Sequence, residues 1–230
     1  MAEAKKLSGA GLRGQSAGET ALCTVGQTGA GLTYRGYDIK ELADKAQFEE
    51  VAYLLLYGKL PNQAELDGYK AKLKSQRALP QALKTVLEQI PVDAHPMDVM
   101  RTGCSMLGNL ETEADFAEQY DKVDRMLAVF PGMINYWYNF THNDGLRIEV
   151  ETDADSIGEQ FLWTLHNKKP EPLHVDVMHA SLILYAEHEF NASTFTARVC
   201  ASTLSDIHSC VTAAIGSLRG PLHGGANEAA

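Results

Sequence analysis

The stretch FEEVAYLLLYGKLP, residues 48–61, is the strongest indication of the fold class. Its first ten residues are apolar on nearly every side, Gly58 follows them, and Pro61 comes three residues later. A helix that is apolar all round lies inside a protein, and glycine followed by proline is a common way for a helix to end. The stretch therefore predicts a buried helix with a sharp stop, in a core where helices pack on helices.

The same pattern of short helix and tight connection recurs along the chain. Asp38, followed by Glu41, predicts a capped helix start, because a side-chain oxygen there can accept from free backbone N–H groups. Pro131 interrupts a long helical stretch and is expected to kink or divide it, since proline has no N–H. Further helices are predicted at 62–76, 80–90, 96–107, 113–141, 155–167, 173–187, 193–204 and 205–218.

The N-terminal region differs from the rest. Residues 7–37 are rich in glycine and contain two β-like pieces, ALCTV at 21–25 and LTYRG at 32–36, with TGAG between them. This spacing predicts one small hairpin. The chain shows no alternation of strands and helices of the kind that builds a parallel nucleotide-binding sheet. The predicted fold class is all-α, multi-helical, with a small N-terminal β-hairpin.

Composition argues against several classes of partner. The chain has 30 acidic and 20 basic residues, giving a net charge of −10, which argues against nucleic acid. Apolar runs such as ASLILYA at 180–186 are far shorter than the about 18–20 residues of a membrane span, so no membrane partner is expected. The four cysteines are scattered without a CxxC pair, which predicts reduced thiols and a cytoplasmic location.

The eight histidines are the first candidates for acid–base chemistry, because imidazole titrates near neutral pH. No HExxH motif, phosphate loop, GxGxxG or GxSxG motif accompanies them, so no metal or nucleotide site is predicted. Six are expected in surface, capping or packing roles: His95, His142, His166, His174, His179 and His208.

His188 and His223 have different surroundings. His188 lies at the predicted end of an apolar helix, just before a new helix that begins near Ser193. A helix C-terminus favours an imidazolium and the next N-terminus offers free N–H groups, so the junction suits a carboxylate ligand. His223 lies in RGPLHGGAN, residues 219–227, whose glycines and proline predict a bare turn that a substrate can approach. A purely structural role is the alternative for both histidines.

Two motifs around these histidines resemble those of a known family. HEFNASTFTAR at 188–198 and GPLHGGANEAA at 220–230 resemble the two consecutive histidine motifs of citrate synthases, in the same order and at the same separation. Four N-terminal segments resemble the 2-methylcitrate synthase branch: ALCTVG at 21–26, YRGYDI at 34–39, residues 48–61 and AHPMDVMRTG at 94–103. The resemblance extends over about residues 7–230 and implies a citrate-synthase-like large helical domain.

The resemblance implies roles for four residues. His223 matches the catalytic histidine that hydrogen-bonds the thioester carbonyl of the acyl-CoA. His188 matches a histidine that binds oxaloacetate, and Asn191 lies in the same substrate-binding loop. Ser193 matches a serine that orients the catalytic imidazole. The resemblance also implies no metal and no cofactor, because the CoA thioester is a substrate, and a homodimer formed through helices of the large domain.

The resemblance further implies that part of the active site follows these residues. In the family, the aspartate that removes the α-proton, a second catalytic histidine, the arginines that grip the carboxylates and most of the CoA site lie after the GPLHGGANE motif. Residues 1–230 are therefore expected to be the N-terminal portion of the large helical domain, without the small domain and the C-terminal helices. Alone, they are expected to show no measurable synthase activity.

The implied reaction is the condensation of propionyl-CoA with oxaloacetate and water to 2-methylcitrate and CoA. One alternative is a citrate synthase that uses acetyl-CoA, because one methylene is worth only about 1–3 kcal/mol in a pocket. Another, from a different class, is a non-catalytic helical dimerisation module that pairs through apolar helices near 99–107, 173–186 and 211–218.

Overall fold

The computed structural model describes residues 17–26 and 31–225, and these ranges confirm the all-α prediction. A small sheet lies at the N-terminal end, with strands β1 Cys23–Thr24, β2 Thr33–Tyr34 and β3 Tyr37–Asp38. The helices are α1 Ile39–Lys45, α2 Phe48–Tyr57, α3 Gln63–Ser75, α4 Gln81–Glu88, α5 Pro96–Leu110, α6 Gln119–His142, α7 Ile157–His166, α8 Pro172–Leu184, α9 Ala192–Ala201 and α10 Ile207–Leu218.

Helix boundaries follow the signals in the sequence. Asp38 caps α1 by accepting from the N–H of Lys40 at 2.7 Å. α2 ends at Gly58, whose φ of +88° is a left-handed conformation that glycine adopts without strain. His95 caps α5, since its Nδ1 accepts from the N–H of Met97 at 3.1 Å. These short-range contacts explain why the helix positions were predictable.

Helix α6 differs from the prediction for its stretch. It begins at Gln119 rather than near 113, after a 3-10 turn at Phe116–Glu118, and it runs without a break through Pro131 to His142. Of the two predicted effects of Pro131, division of the helix is therefore wrong, and a kink stays a prediction. A proline inside a helix costs about 3 kcal/mol, and burial of the neighbouring Val129 and Met133 on the core offsets that cost.

The sheet has one strand more than the predicted hairpin. β1 pairs antiparallel with β2, with Cys23 opposite Tyr34, and β3 pairs with the other edge of β2. The two strands predicted to form the hairpin are thus confirmed as partners. Most of the predicted TGAG turn lies outside the described residues.

The apolar core has two parts, and α6 contributes to both. One part joins α4, α5, α6 and α10 around residues such as Leu83, Leu107 and Met133. The other joins the sheet to α1, α2, α3 and α8 around Leu54 and Ile183. Among the described residues, no helix is both long and apolar enough to cross a membrane.

The sheet is fixed to the end of α8 by one buried tyrosine. Tyr34 of β2 is fully buried, and its hydroxyl donates to the carbonyl of Ile183 at 2.8 Å. The same hydroxyl oxygen accepts from the N–H of Glu187 at 3.3 Å. These bonds place the N-terminal sheet beside the loop between α8 and α9, which carries His188.

Candidate active site

His223 lies in the turn that follows α10. Its backbone N–H donates to the carbonyl of Gly220 at 3.0 Å, and the side chain is half-buried. At the neighbouring Gly224, an added Cβ would overlap the carbonyl of Leu218. Glycine is therefore required there, because the turn folds back closely on the end of α10.

Ser193 contacts the imidazole of His223 through both its side chain and its backbone. Nε2 of His223 lies 2.9 Å from the Ser193 Oγ, and the Ser193 N–H donates to the same nitrogen at 3.3 Å. A backbone N–H can only donate, so this geometry favours a neutral ring with its lone pair on Nε2 and its proton on Nδ1. Among the described residues, Nδ1 makes no hydrogen bond and can donate to a ligand.

Asn191 holds Ser193 in this position. Its Oδ1 accepts from the Thr194 N–H at 2.9 Å, which caps α9, and from the Ser193 hydroxyl at 2.8 Å. The Ser193 hydroxyl hydrogen is thus within reach of two acceptors, Asn191 Oδ1 and His223 Nε2. Asn191, Ser193 and His223 therefore form one hydrogen-bonded group, and their roles in binding and catalysis stay predictions.

The surroundings of His188 differ from the expected ones in two respects. α8 ends at Leu184, so His188 lies four residues beyond the helix end and not at it. In addition, the N–H groups of Ser193 and Thr194 at the start of α9 already donate within the protein, so they are not free for a carboxylate. His188 itself is exposed, and its ring makes no hydrogen bond to the described part of the chain.

The other histidines occupy the structural positions that were predicted. His142 and His166 end α6 and α7. His179 accepts from the Phe48 N–H at 3.0 Å, at the start of α2. His208 is buried in α10, and burial lowers the pKa of its imidazole. Within residues 17–26 and 31–225, no group of three or more His, Cys, Asp or Glu side chains is arranged to hold a metal ion.

Sequence reasoning missed the residues that hold the His188 loop. The Cys23 thiol accepts from the Glu189 N–H at 3.0 Å, and the Val25 N–H donates to Oε1 of Glu189 at 3.0 Å. Burial raises the pKa of the Cys23 thiol to about 11, so the group stays protonated at neutral pH. These partners lie more than 160 positions apart in the sequence, and no local pattern connects them.

Comparisons with known proteins identify the family of the chain. The family profile described as citrate synthase, C-terminal domain, matches residues 11–230. The chain is 74% identical to 2-methylcitrate synthase of Shewanella oneidensis, over 100% of this chain and 61% of that protein. It is 45% identical to Citrate synthase 2 of Bacillus subtilis, over 86% of this chain and 54% of that protein.

Solved structures agree as well. Citrate synthase from Thermotoga maritima superposes with a TM-score of 0.83 at 35% identity, covering 96% of this chain and 58% of that one. The ternary complex of the Thermoplasma acidophilum enzyme with carboxymethyl coenzyme A and oxaloacetate superposes with a TM-score of 0.84 at 32% identity, over 93% and 56%. The chain thus spans little more than half the length of these relatives. The chain belongs to the citrate synthase family.

Proposed function

We propose that these residues are part of a 2-methylcitrate synthase, which condenses propionyl-CoA with oxaloacetate and water to give 2-methylcitrate and CoA. The observation that carries this proposal is the 74% identity over the whole chain to a 2-methylcitrate synthase. The hydrogen-bonded group of Asn191, Ser193 and His223 supports it, because its contacts at Nε2 favour the tautomer that leaves Nδ1–H as a donor.

The proposed role of His223 follows from the chemistry of the thioester. A proton on the carbon next to a thioester carbonyl is very weakly acidic, so a base can remove it only if the growing negative charge on the oxygen is stabilised. Nδ1–H of His223 donates to that oxygen as the C–H bond breaks. Ser193 holds Nε2, which keeps the proton on Nδ1 and the ring fixed. The base itself is expected outside these residues.

The remaining steps form the new C–C bond and release CoA. The enol carbon attacks the keto carbon of oxaloacetate, and water then hydrolyses the thioester to a carboxylate and the free thiol of CoA. His188 and Asn191 bind oxaloacetate in this proposal. The condensation and the hydrolysis involve no net oxidation or reduction, so the reaction needs no redox cofactor. We assign no metal.

We place the enzyme in the cytoplasm as a homodimer, with these residues in its large helical domain. Cys23, Cys104, Cys200 and Cys210 are all free thiols, which suits a reducing compartment. On α8, Leu173 and Val177 are 69% and 59% exposed, and such apolar side chains suit burial against another protein surface. The rival proposal of a non-catalytic dimerisation module uses the same surface, and light scattering combined with an activity assay separates the two.

A second candidate function is that of a citrate synthase, favoured by the 45% identity to Citrate synthase 2 of Bacillus subtilis. The deciding experiment measures kcat/KM for propionyl-CoA and acetyl-CoA in the complete enzyme, meaning these residues together with the remaining length that the relatives have. We expect a higher value with propionyl-CoA. A higher value with acetyl-CoA would favour citrate synthase, and no CoA release with either would favour the dimerisation module.

A further inference from the structure

The loop that carries His188 is attached to strand β1 on both sides of that histidine. On the N-terminal side, the Cys23 thiol donates to Oε1 of Glu187 at 3.7 Å. On the C-terminal side, the Glu189 N–H donates to the Cys23 sulfur at 3.0 Å, and the Val25 N–H donates to Oε1 of Glu189 at 3.0 Å. One short strand therefore holds both residues that flank His188.

The backbone of Glu189 shows that these contacts restrain the loop. Its φ is +55°, a left-handed conformation that costs a residue with a Cβ of order 1 kcal/mol and persists only where surrounding contacts enforce it. Glutamate has no intrinsic preference for this conformation, unlike glycine or asparagine. The bonds to Cys23 and Val25 are the contacts that hold Glu189 in it.

The next residue in the loop is held as well. The ring of Phe190 lies against Gly18, where an added Cβ would be 3.2 Å from Cζ of the ring. On the same ring, the guanidinium of Arg198 in α9 lies 4.8 Å from the centroid. The segment from Glu187 to Phe190 is thus fixed at several points, while the exposed ring of His188 has no hydrogen bond of its own among the described residues.

We propose that Glu189 and Cys23 are positioning residues, which fix His188 for oxaloacetate by tying its loop to β1. This inference rests on the proposed function, in which His188 binds oxaloacetate. A binding side chain that is already in place loses less conformational entropy when the ligand arrives, so loosening its loop weakens binding. Neither residue touches substrate in this account. Their loss is expected to change the affinity for oxaloacetate and to leave the handling of acyl-CoA intact.

The first test compares Glu189→Asn with Glu189→Gln in the complete enzyme. Asparagine adopts positive φ readily but is one methylene shorter, so it keeps the backbone conformation and loses the bond to Val25. Glutamine retains an oxygen at the position of Oε1. For Glu189→Asn we expect the KM for oxaloacetate to rise about five- to tenfold, as for one lost hydrogen bond, with kcat and the KM for propionyl-CoA within about twofold. For Glu189→Gln we expect a KM for oxaloacetate close to that of the unsubstituted enzyme.

A second pair of variants tests the hydrogen bond between the Cys23 sulfur and the Glu189 N–H. Cys23→Ala removes the acceptor for the Glu189 N–H, whereas Cys23→Ser keeps one. The alanine variant should raise the KM for oxaloacetate, and the serine variant should raise it less. Glu171→Ala is the matched control, because Glu171 is exposed and makes no capping hydrogen bond at the start of α8. It should leave the KM for oxaloacetate unchanged.

Failure of this inference is distinct from failure of the proposed function. An unsubstituted enzyme that makes no 2-methylcitrate or citrate would overturn both. An active enzyme whose Glu189→Asn and Cys23→Ala variants keep the KM for oxaloacetate would overturn the positioning role alone. A lower kcat together with an equal rise in both KM values and a lower melting temperature would also overturn it, because that pattern indicates general destabilisation. If Glu189→Asn does not fold, the KM values of Cys23→Ala and Cys23→Ser for oxaloacetate test the positioning role.

Discussion

The hydroxyl oxygen of Ser193 lies 2.9 Å from Nε2 of His223, a residue 30 positions later in the chain. Ser193 is in the first turn of α9, and His223 is in the turn after α10. The two helices pack on each other, so the distance between these residues is set by rigid elements and not by loops alone. The pair therefore fixes which nitrogen of His223 is engaged, and it leaves Nδ1 without a hydrogen bond among the described residues.

The first prediction concerns this pair. Ser193→Ala in the complete enzyme removes the hydroxyl contact to Nε2 and leaves only the longer contact from the backbone N–H, so the imidazole is held less firmly. We expect kcat to fall about 10- to 100-fold, the usual effect of losing a partner that orients a functional histidine. Ser202→Ala is the control, because Ser202 is exposed at the far end of α9. An unchanged kcat in Ser193→Ala would show that the serine does not orient the ring.

The second prediction concerns the turn that carries His223. Gly224→Ala would place a Cβ on the carbonyl of Leu218, so we expect a loss of about 2–3 kcal/mol in the free energy of unfolding, measured with urea on this chain. Gly225→Ala is the matched control, since among the described residues its Cβ would meet only Pro221, at an ordinary 3.6 Å. Similar stability of the two variants would contradict the close approach at Gly224.

The third prediction uses the buried His208. Its side chain is 1% exposed, and desolvation lowers the pKa below the ordinary value of 6.5, despite the nearby acidic Asp206. The unfolded chain therefore binds a proton at a higher pH than the folded chain, and the free energy of unfolding decreases as the pH falls below about 6.5.

Urea unfolding of the unsubstituted chain and of His208→Asn at pH 7.5 and pH 5.5 measures this effect. The loss of stability between the two pH values should be smaller in His208→Asn than in the unsubstituted chain. An equal loss in both would mean that other groups cause the pH dependence.

Much of the fold could be predicted because its signals are local. The cap at Asp38, the stop at Gly58 and the proline at the start of α5 each depend on residues within one helical turn. Division of the helix at Pro131 was wrongly predicted because the effect of a proline depends on tertiary packing: the buried residues on both sides of it keep α6 continuous.

The candidate site was only partly predictable for the same reason. The motifs around His188 and His223 predicted these two histidines as site residues, and the structure joins His223 to Ser193 directly. The bonds of Cys23 and Val25 to the His188 loop could not be foreseen, because they join residues more than 160 positions apart. The pattern of the sequence near Cys23 predicts only a short strand.

In the proposed mechanism, His223 donates the hydrogen bond that makes the thioester carbon acidic enough to react. The most direct test measures kcat/KM for propionyl-CoA, at saturating oxaloacetate, in the complete enzyme and in its His223→Ala variant, with the exposed His142→Ala as the control. We predict a loss of about 100- to 1000-fold or more in His223→Ala, the usual effect of removing such a donor, and no loss in the control. A His223→Ala variant that keeps the parent rate would contradict the account.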